Sequence, residues 1–437
     1  MLNIKTVTVI GANGTMGCNV SAIFASFGNA KIYMVSRDIE KSKKAVVKAG
    51  KSVRASSIER NLVPADYAML PACIQESDLV FESVKEDLAI KTDITKIIAE
   101  NLKPGAIACT GTSGLSITTL AECFKDEGRN CYFGVHMFNP PYNMTLCELI
   151  PTKYSNLELM QEFSEYLSNV LFRTVVEVKD SPAFLGNRIG FQFINEAMQY
   201  AEKYADNGGI DYIDAILGGF TGRSMSPLTT ADFVGLDVHK AIVDNVYDNT
   251  NDYAHDTFVL PKFCQKLIDD GKLGRKVGCG FYQLLRFEDG SKKMNVYDIA
   301  TDSYRDKICY TFPFAEKMLH DIQKGSYQAA FKTLVDNHSQ EATIALEFLL
   351  KYVVYSLMAA TSVGYTIHAA DDVMATGFNW CPPLAIVDAL STVCDFKELV
   401  ETHLENQEQF KNVDLKHLLS LIESSKYDYR IYFKAKK

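Results

Sequence analysis

No Cys-x-x-Cys pair occurs among the eleven cysteines, which are scattered from Cys18 to Cys394. An odd set of isolated thiols argues against a disulfide framework and against a zinc site. It predicts free thiols in a reducing compartment and no bound metal. Positive charge is in deficit: 45 Lys and Arg against 54 Asp and Glu leave a net charge of −9. That balance speaks against general binding of nucleic acid or an anionic membrane, while a local basic pocket for a phosphorylated ligand stays compatible. A long uninterrupted apolar run is also missing. The longest stretch, Phe348 to Tyr365, is broken by Lys351 and carries Ser356, Thr361, Ser362 and Gly364. It predicts a buried helix rather than a membrane span. A strand pattern begins by Thr6, which leaves no room for a leader, so a cytoplasmic protein is expected.

What is present is an ordinary globular composition, 47% hydrophobic and 23% charged over 437 residues, enough for two or three domains. Thr6–Ile10, Lys31–Val35, Leu79–Ser83, Ala106–Thr110 and Tyr132–His136 read as short buried strands. Helical stretches lie between them, about Thr15–Phe27, Ile39–Ala49 and Leu88–Leu102. This alternation predicts an α/β domain over 1–179, a mostly parallel Rossmann-type sheet with helices on both faces. After Val178 strands are expected to cease. Ser181-Pro182 reads as a helix start, a capping hydroxyl followed by proline, opening a long helix to about Ala205.

The remainder reads as two related all-α domains, 180–282 and 341–437, joined by a structured linker over 283–340. A faint internal repeat supports this division. Ile210–Phe220 followed by Pro227–Asp232 recurs as Ala370–Phe378 followed by Pro383–Asp388, each copy after a long apolar helix.

Gly11-Ala-Asn-Gly14-Thr15-Met16-Gly17 falls between the first strand and the first helix. Glycines there let the backbone turn sharply and approach a pyrophosphate resting on the N–H groups of the helix start. In that strand–turn–helix context the motif points to a dinucleotide, although its spacing is one residue wider than Gly-x-Gly-x-x-Gly. The second strand should end in an acid for the adenosine ribose, and Ser36-Arg37-Asp38 stands there instead. Two readings follow. Arg37 pairs with a 2′-phosphate and NADP is accepted, or Arg37 stacks on adenine while Ser36 or Asp38 serves the ribose of NAD.

Downstream lies a third feature, His136 and Glu148, twelve residues apart. An imidazole held by a carboxylate is a standard proton acceptor near neutral pH, because the acid sets the ring tautomer and stabilises the imidazolium. Alone, such a pair is more often a buried, satisfied histidine with a polar partner. Its place after a dinucleotide turn makes it a catalytic candidate.

Six segments in order resemble the 3-hydroxyacyl-CoA dehydrogenase family. They are Phe81-Glu-Ser-Val-Lys-Glu86 with Lys91; Thr110-Gly-Thr-Ser113-Gly-Leu-Ser116; Phe133-Gly-Val-His136-Met-Phe-Asn139-Pro on to Glu148; Asp180-Ser-Pro-Ala-Phe-Leu-Gly-Asn187-Arg188; Ala231-Asp232-Phe-Val-Gly-Leu-Asp237; and Gly274-Arg-Lys-Val-Gly-Cys-Gly-Phe-Tyr282. The resemblance implies that His136 is the general base for the 3-hydroxyl and Glu148 its support. It implies that Ser113 and Asn187 hydrogen-bond the reacting oxygen or thioester region, and that Glu86 and Lys91 reach the nicotinamide half of the cofactor. Asn139-Pro140 reads simply as a turn. Departures are Gly111 for Asn, Gly114 for Ser, Ser226 for Gly before Pro227, and Ala183 for Gly after Pro182. None removes a catalytic group.

An acyl-CoA substrate is therefore expected. Lys48, Lys51, Arg54 and Arg60 are candidate cations for coenzyme A, or else a solvated face. Single-copy relatives dimerise through the helical domain, so a second copy predicts a monomer with an internal pseudo-dimer, the alternative being a homodimer. Competing functions are a dehydrogenase of a non-CoA hydroxyacid, of sugar-acid or carnitine type, and a non-catalytic nucleotide-binding protein.

Overall fold

Short apolar runs separated by helix-length segments pair side by side in one direction, since a parallel pair needs a crossover that a helix supplies. In the computed structural model, which describes residues 2–53 and 55–434, this gives β1 (Thr6–Ile10), β2 (Lys31–Ser36), β3 (Leu62–Asp66), β4 (Leu79–Glu82), β5 (Ile107–Thr110) and β6 (Tyr132–Met137). With β7 (Leu146–Ile150) and β8 (Thr174–Glu177) they form one sheet in the order β3-β2-β1-β4-β5-β6-β7-β8. β7 pairs antiparallel with β6, and β8 parallel with β7. Val7, Val9, Ile32, Met34, Phe81, Phe133, Val135 and Leu149 are buried in the core that the helices cover, with Phe24 and Phe163 packed on it. The chain crosses from one side of β1 to the other between β3 and β4. Strand order reverses there, and a crevice opens beyond the strands' C-terminal ends.

The chain forms two compact units, Met1–Phe184 with Val363–Tyr365, and Leu185–Ser362 with Thr366–Lys437. Several expectations are corrected. β3, β7 and β8 join the sheet unannounced; Pro64 in β3 is tolerated because that strand lies at the edge. Ser181-Pro182 does not start a helix. Ala183 (φ 60°) and Phe184 (φ 52°) are left-handed, so the helix begins only at Gly186 and runs to Lys203. Nor do strands cease. β9 (Tyr282–Arg286), β10 (Lys292–Asp298) and β11 (Ser303–Asp306) form an antiparallel sheet inside the expected linker, turning at Asp289-Gly290. Two helices, Pro313–Gln323 and Tyr327–Val335, complete that segment. Residues 283–340 thus pack within the second unit, together with the helical segments on either side.

Within this unit the repeat has a physical counterpart. The helices Gly186–Lys203 and Gln340–Val363 are each followed by a short helix and then by one opening on proline, Pro227–Val234 and Pro383–Leu390. Asp214 accepts the backbone N–H of Leu228 (2.8 Å), and Asp371 accepts that of Leu384 (2.8 Å). Asp232 accepts the N–H groups of Phe281 and Tyr282, and Asp388 that of Ser425. The Tyr282 hydroxyl returns to Asp214, the Ser425 hydroxyl to Asp371. Two copies of one joint therefore clamp a proline-opened helix with a buried carboxylate, the favourable sign at a helix N-terminus. Gln340–Val363, long and apolar enough to cross a membrane, has 83% of its most apolar window buried.

Asp214 also accepts from Thr229 and is buried, so truncation strands several donors at once. Asp214→Ala is expected to lower stability by about 3 kcal/mol in urea unfolding. A loss below about 1 kcal/mol would show that the joint does not hold the unit together.

Candidate active site

The antiparallel turn from β6 to β7 sets His136 and Glu148 directly opposite one another in register. Nδ1 of His136 lies 2.7 Å from Oε2 of Glu148. His136 is 5% exposed and Glu148 fully buried, so the carboxylate is shielded from water and oriented by its strand. Nδ1 is engaged, leaving Nε2 as the nitrogen free to exchange a proton. Phe138 and Phe184 stand against the ring, with centroids at 4.6 and 5.5 Å. The left-handed backbone of Ala183 and Phe184 is what turns the second of these onto the histidine. Asn139-Pro140, a cis peptide, lies in the intervening turn. The buried Arg173 holds that turn by donating to the Pro141 carbonyl (2.5 Å), and Asn19 donates to Asn139 (3.4 Å).

Ser113 lies in the loop leaving β5, at the same C-terminal sheet edge as the end of β6. Glu86 anchors this loop, accepting the Ser113 backbone N–H (2.8 Å) and the Thr112 hydroxyl (2.5 Å). Lys91 is 1% exposed; its ammonium donates to both oxygens of Glu82 (2.9 and 3.1 Å) and lies 3.5 Å from Glu86. Glu82 also accepts from Thr110 (2.6 Å) and the Val84 N–H (2.6 Å). Glu86 and Lys91 thus have protein partners of their own and together brace the loops after β4 and β5. Glu82, central to this network, was not singled out from the sequence as a site residue. Its only signal was an acid at the end of an apolar strand. Asp180, which the sequence marks only as the first residue of the Asp180–Arg188 motif, accepts from Ser116, Ile117 and Thr118 and so positions the helix after the Ser113 loop. Asn187, buried in the first turn of the helix Gly186–Lys203, belongs to the second unit.

At the dinucleotide turn Gly11 has φ 81°, and a Cβ there would sit 2.3 Å from the Ser83 carbonyl oxygen; one on Gly17 would sit 2.5 Å from that of Gly11. Only glycine closes this turn. Gly14 precedes the helix Thr15–Ser26, and no side chain caps its first turn, so the amides of Thr15, Met16 and Gly17 are available to an anion. A cavity of about 480 Å³ opens beside the turn, lined by Gly11, Asn13, Gly14, Arg37, Tyr67 and Ile94 among others. A bare glycine floor, a helix start and a cavity of this size suit a dinucleotide.

Ser36, expected at the ribose, turns inward instead. It is buried, donates to the Asp38 carbonyl (2.9 Å) and shares a hydrogen bond with Ser42 (2.6 Å). Asp38 caps the helix Ile39–Ser52 through the Glu40 N–H. Of the three residues, Arg37 lines the cavity. Opposite it, burial raises the Tyr67 hydroxyl against the pull of the Arg37 guanidinium. Lys48, Lys51 and Arg60 are exposed, and Arg54 lies outside the described residues.

Residues 6–181 match the NAD binding domain of 3-hydroxyacyl-CoA dehydrogenase, and residues 184–284 match its C-terminal domain. A probable 3-hydroxyacyl-CoA dehydrogenase of Bacillus subtilis is 28% identical over 89% of this chain, which spans 51% of that relative's length. A 3-hydroxybutyryl-CoA dehydrogenase of Clostridioides difficile is 32% identical over 63% of this chain and 98% of its own. The crystal structure of a 3-hydroxybutyryl-CoA dehydrogenase from Escherichia coli has the same fold (TM-score 0.71, 21% identity, 96% of this chain and 99% of that one). With both domains matched in chain order and a relative 32% identical along nearly its whole length, the chain belongs to the 3-hydroxyacyl-CoA dehydrogenase family.

Proposed function

We propose that this protein interconverts 3-hydroxyacyl-CoA and 3-ketoacyl-CoA, with His136 as general base in oxidation and general acid in reduction. The observation that carries this reading is the buried 2.7 Å pair of His136 and Glu148 at the sheet edge that also bears the dinucleotide turn. A nicotinamide dinucleotide supplies the hydride acceptor or donor when bound. Nε2 of His136 takes the proton from the 3-hydroxyl, and Glu148 stabilises the resulting imidazolium and keeps the ring from rotating. Ser113, on a loop fixed by Glu86, donates to the reacting oxygen. Asn187 serves the same oxygen or the thioester. Fixed donors of this type are worth about 2–4 kcal/mol at a developing charge. Phe138 and Phe184 keep water from the imidazole. Ser52 shares a hydrogen bond with Tyr142 (3.0 Å), which ties the lysine-rich helix Ile39–Ser52 to the loop after His136. This supports Lys48 and Lys51 as cations for the coenzyme A phosphates.

His136→Ala and the near-isosteric His136→Gln are expected to lower kcat by about 10²–10⁴ with KM little changed. Glu148→Gln should cost about 10², with thermal unfolding reporting whether each variant is folded. Acetoacetyl-CoA reduction within about tenfold of the unmodified enzyme in both His136 variants would sink the mechanism.

The cofactor reading follows from the end of β2. Ser36 is turned away, Asp38 is committed to its helix and Arg37 faces the cavity, which supports acceptance of NADP beside NAD. Arg37→Ala is expected to reduce kcat/KM for NADPH about tenfold or more and that for NADH far less. An equal fall with both would assign Arg37 to adenine instead.

The second helical copy supports a monomer. Arg223 bridges Trp380, the Cys381 N–H donates to the Gly222 carbonyl (2.8 Å), and the Arg223 guanidinium lies 3.8, 4.9 and 4.8 Å from the rings of Phe193, Tyr352 and Trp380. Sedimentation is expected to give a single species of 48.8 kDa; a dimer at micromolar concentration would contradict it.

A further inference from the structure

We propose that the second unit carries a separate site for an anionic amphiphile, a molecule with an apolar chain that ends in a carboxylate or phosphate. The site is a cavity of about 570 Å³ between the helix Pro227–Val234, the turn at Arg275–Val277 and the hairpin of β9 and β10. Its floor is apolar and open to solvent. Phe233, Leu284 and Met294 are 45%, 39% and 41% exposed, and the last two are cross-strand partners. Large apolar side chains gathered at one concave place, each left partly wet, mark a binding surface rather than ordinary surface scatter.

The charge around this floor is one-sided. Arg275, Arg286 and Lys307 line the cavity, and among the described residues none has a carboxylate within ion-pair distance. Arg275 and Lys307 rest over the rings of Phe233 and Tyr282 instead, at 5.4 and 5.0 Å. Neighbouring cations behave differently. Lys272 pairs with Asp270, Lys276 with Asp237, Lys293 with Asp306, and Arg305 with Asp211 and Asp298. Asp232, the one lining acid among the described residues, spends its oxygens on the backbone N–H groups of Phe281 and Tyr282. In a chain of net charge −9, three unpaired cations around an apolar cavity hold a field that favours an anion. The apolar floor then selects one carrying a hydrocarbon. Arginine suits the head group, since its fork matches carboxylate and phosphate alike.

This chemistry has two sources, a free fatty acid and an acyl thioester of coenzyme A. Laurate, lauroyl-CoA and inorganic phosphate are titrated by calorimetry into the full-length protein, below micelle-forming concentrations. The variants are Arg275→Glu/Arg286→Glu and Leu284→Ser/Met294→Ser. All four positions are exposed, so both should fold, and melting temperature checks this. Saturable binding of laurate, weakened tenfold or more in both variants, is expected for a free-acid site. Loss of one of two lauroyl-CoA equivalents in the charge-reversed variant assigns the site to the thioester. No saturable binding of either amphiphile, affinities unchanged in both variants, or phosphate binding as tightly as laurate would each overturn the proposal. None of these outcomes bears on His136, whose test is turnover.

Discussion

The antiparallel pairing of β6 with β7 is the constraint on which the site depends. Side chains alternate across a strand, so a slip of one residue would send Glu148 to the opposite face and leave the imidazole without its acid. In the observed register the two meet at 2.7 Å with almost no exposure. Burying a carboxylate is costly unless it is satisfied, and the His136 imidazole is one of the groups that satisfies it. The register is in turn held from outside. Arg173 secures the turn through the Pro141 carbonyl, and Tyr142 donates to the Asn19 carbonyl (3.1 Å). Burial drives the Tyr142 hydroxyl to about 12, so it remains a donor throughout the working pH range.

A second brace runs under the neighbouring strands. Glu82, Lys91 and Thr110 form a buried network whose charges compensate one another, and Glu86 extends it to the loop of Ser113. Buried ion pairs of this kind are poor sources of net stability but strong determinants of geometry once every member is satisfied. Here the geometry concerned is the sheet edge where the dinucleotide turn, the Ser113 loop and His136 emerge. The glycine turn contributes by absence: without side chains at Gly11 and Gly17, backbone can approach backbone, and the cavity keeps a bare floor.

The second unit carries the same solution twice. A buried aspartate caps a proline-opened helix, and a second aspartate on that helix fastens a returning segment. The repeat was legible because an aspartate, a proline and a second aspartate recur in the same order, with the same spacing from Pro227 to Asp232 as from Pro383 to Asp388. The hairpin of β9 and β10 has one local signal, Asp289-Gly290 at its turn. Much of that hairpin is exposed, so its hydrophobic pattern is weak. The helix start at Ser181-Pro182 was misplaced for a different reason. A hydroxyl and a proline are also what a turn uses, and the left-handed residues after them are alanine and phenylalanine, which give no local warning.

By itself the sequence determined the nucleotide turn, the order of the first strands, the family signatures and the identity of the His136–Glu148 pair. These are local or strongly patterned features: glycines where backbone must turn, apolar runs of strand length, and residue types demanded by chemistry. Only the tertiary structure decided which way each polar group faces. It turned Ser36 inward and left Arg37 at the cavity, gave Glu86 and Lys91 to the loops rather than to open space, and set Arg275, Arg286 and Lys307 around one apolar cavity. Such choices depend on partners contributed by distant residues, and a hydrogen bond or an ion pair leaves no periodic trace in the sequence that makes it.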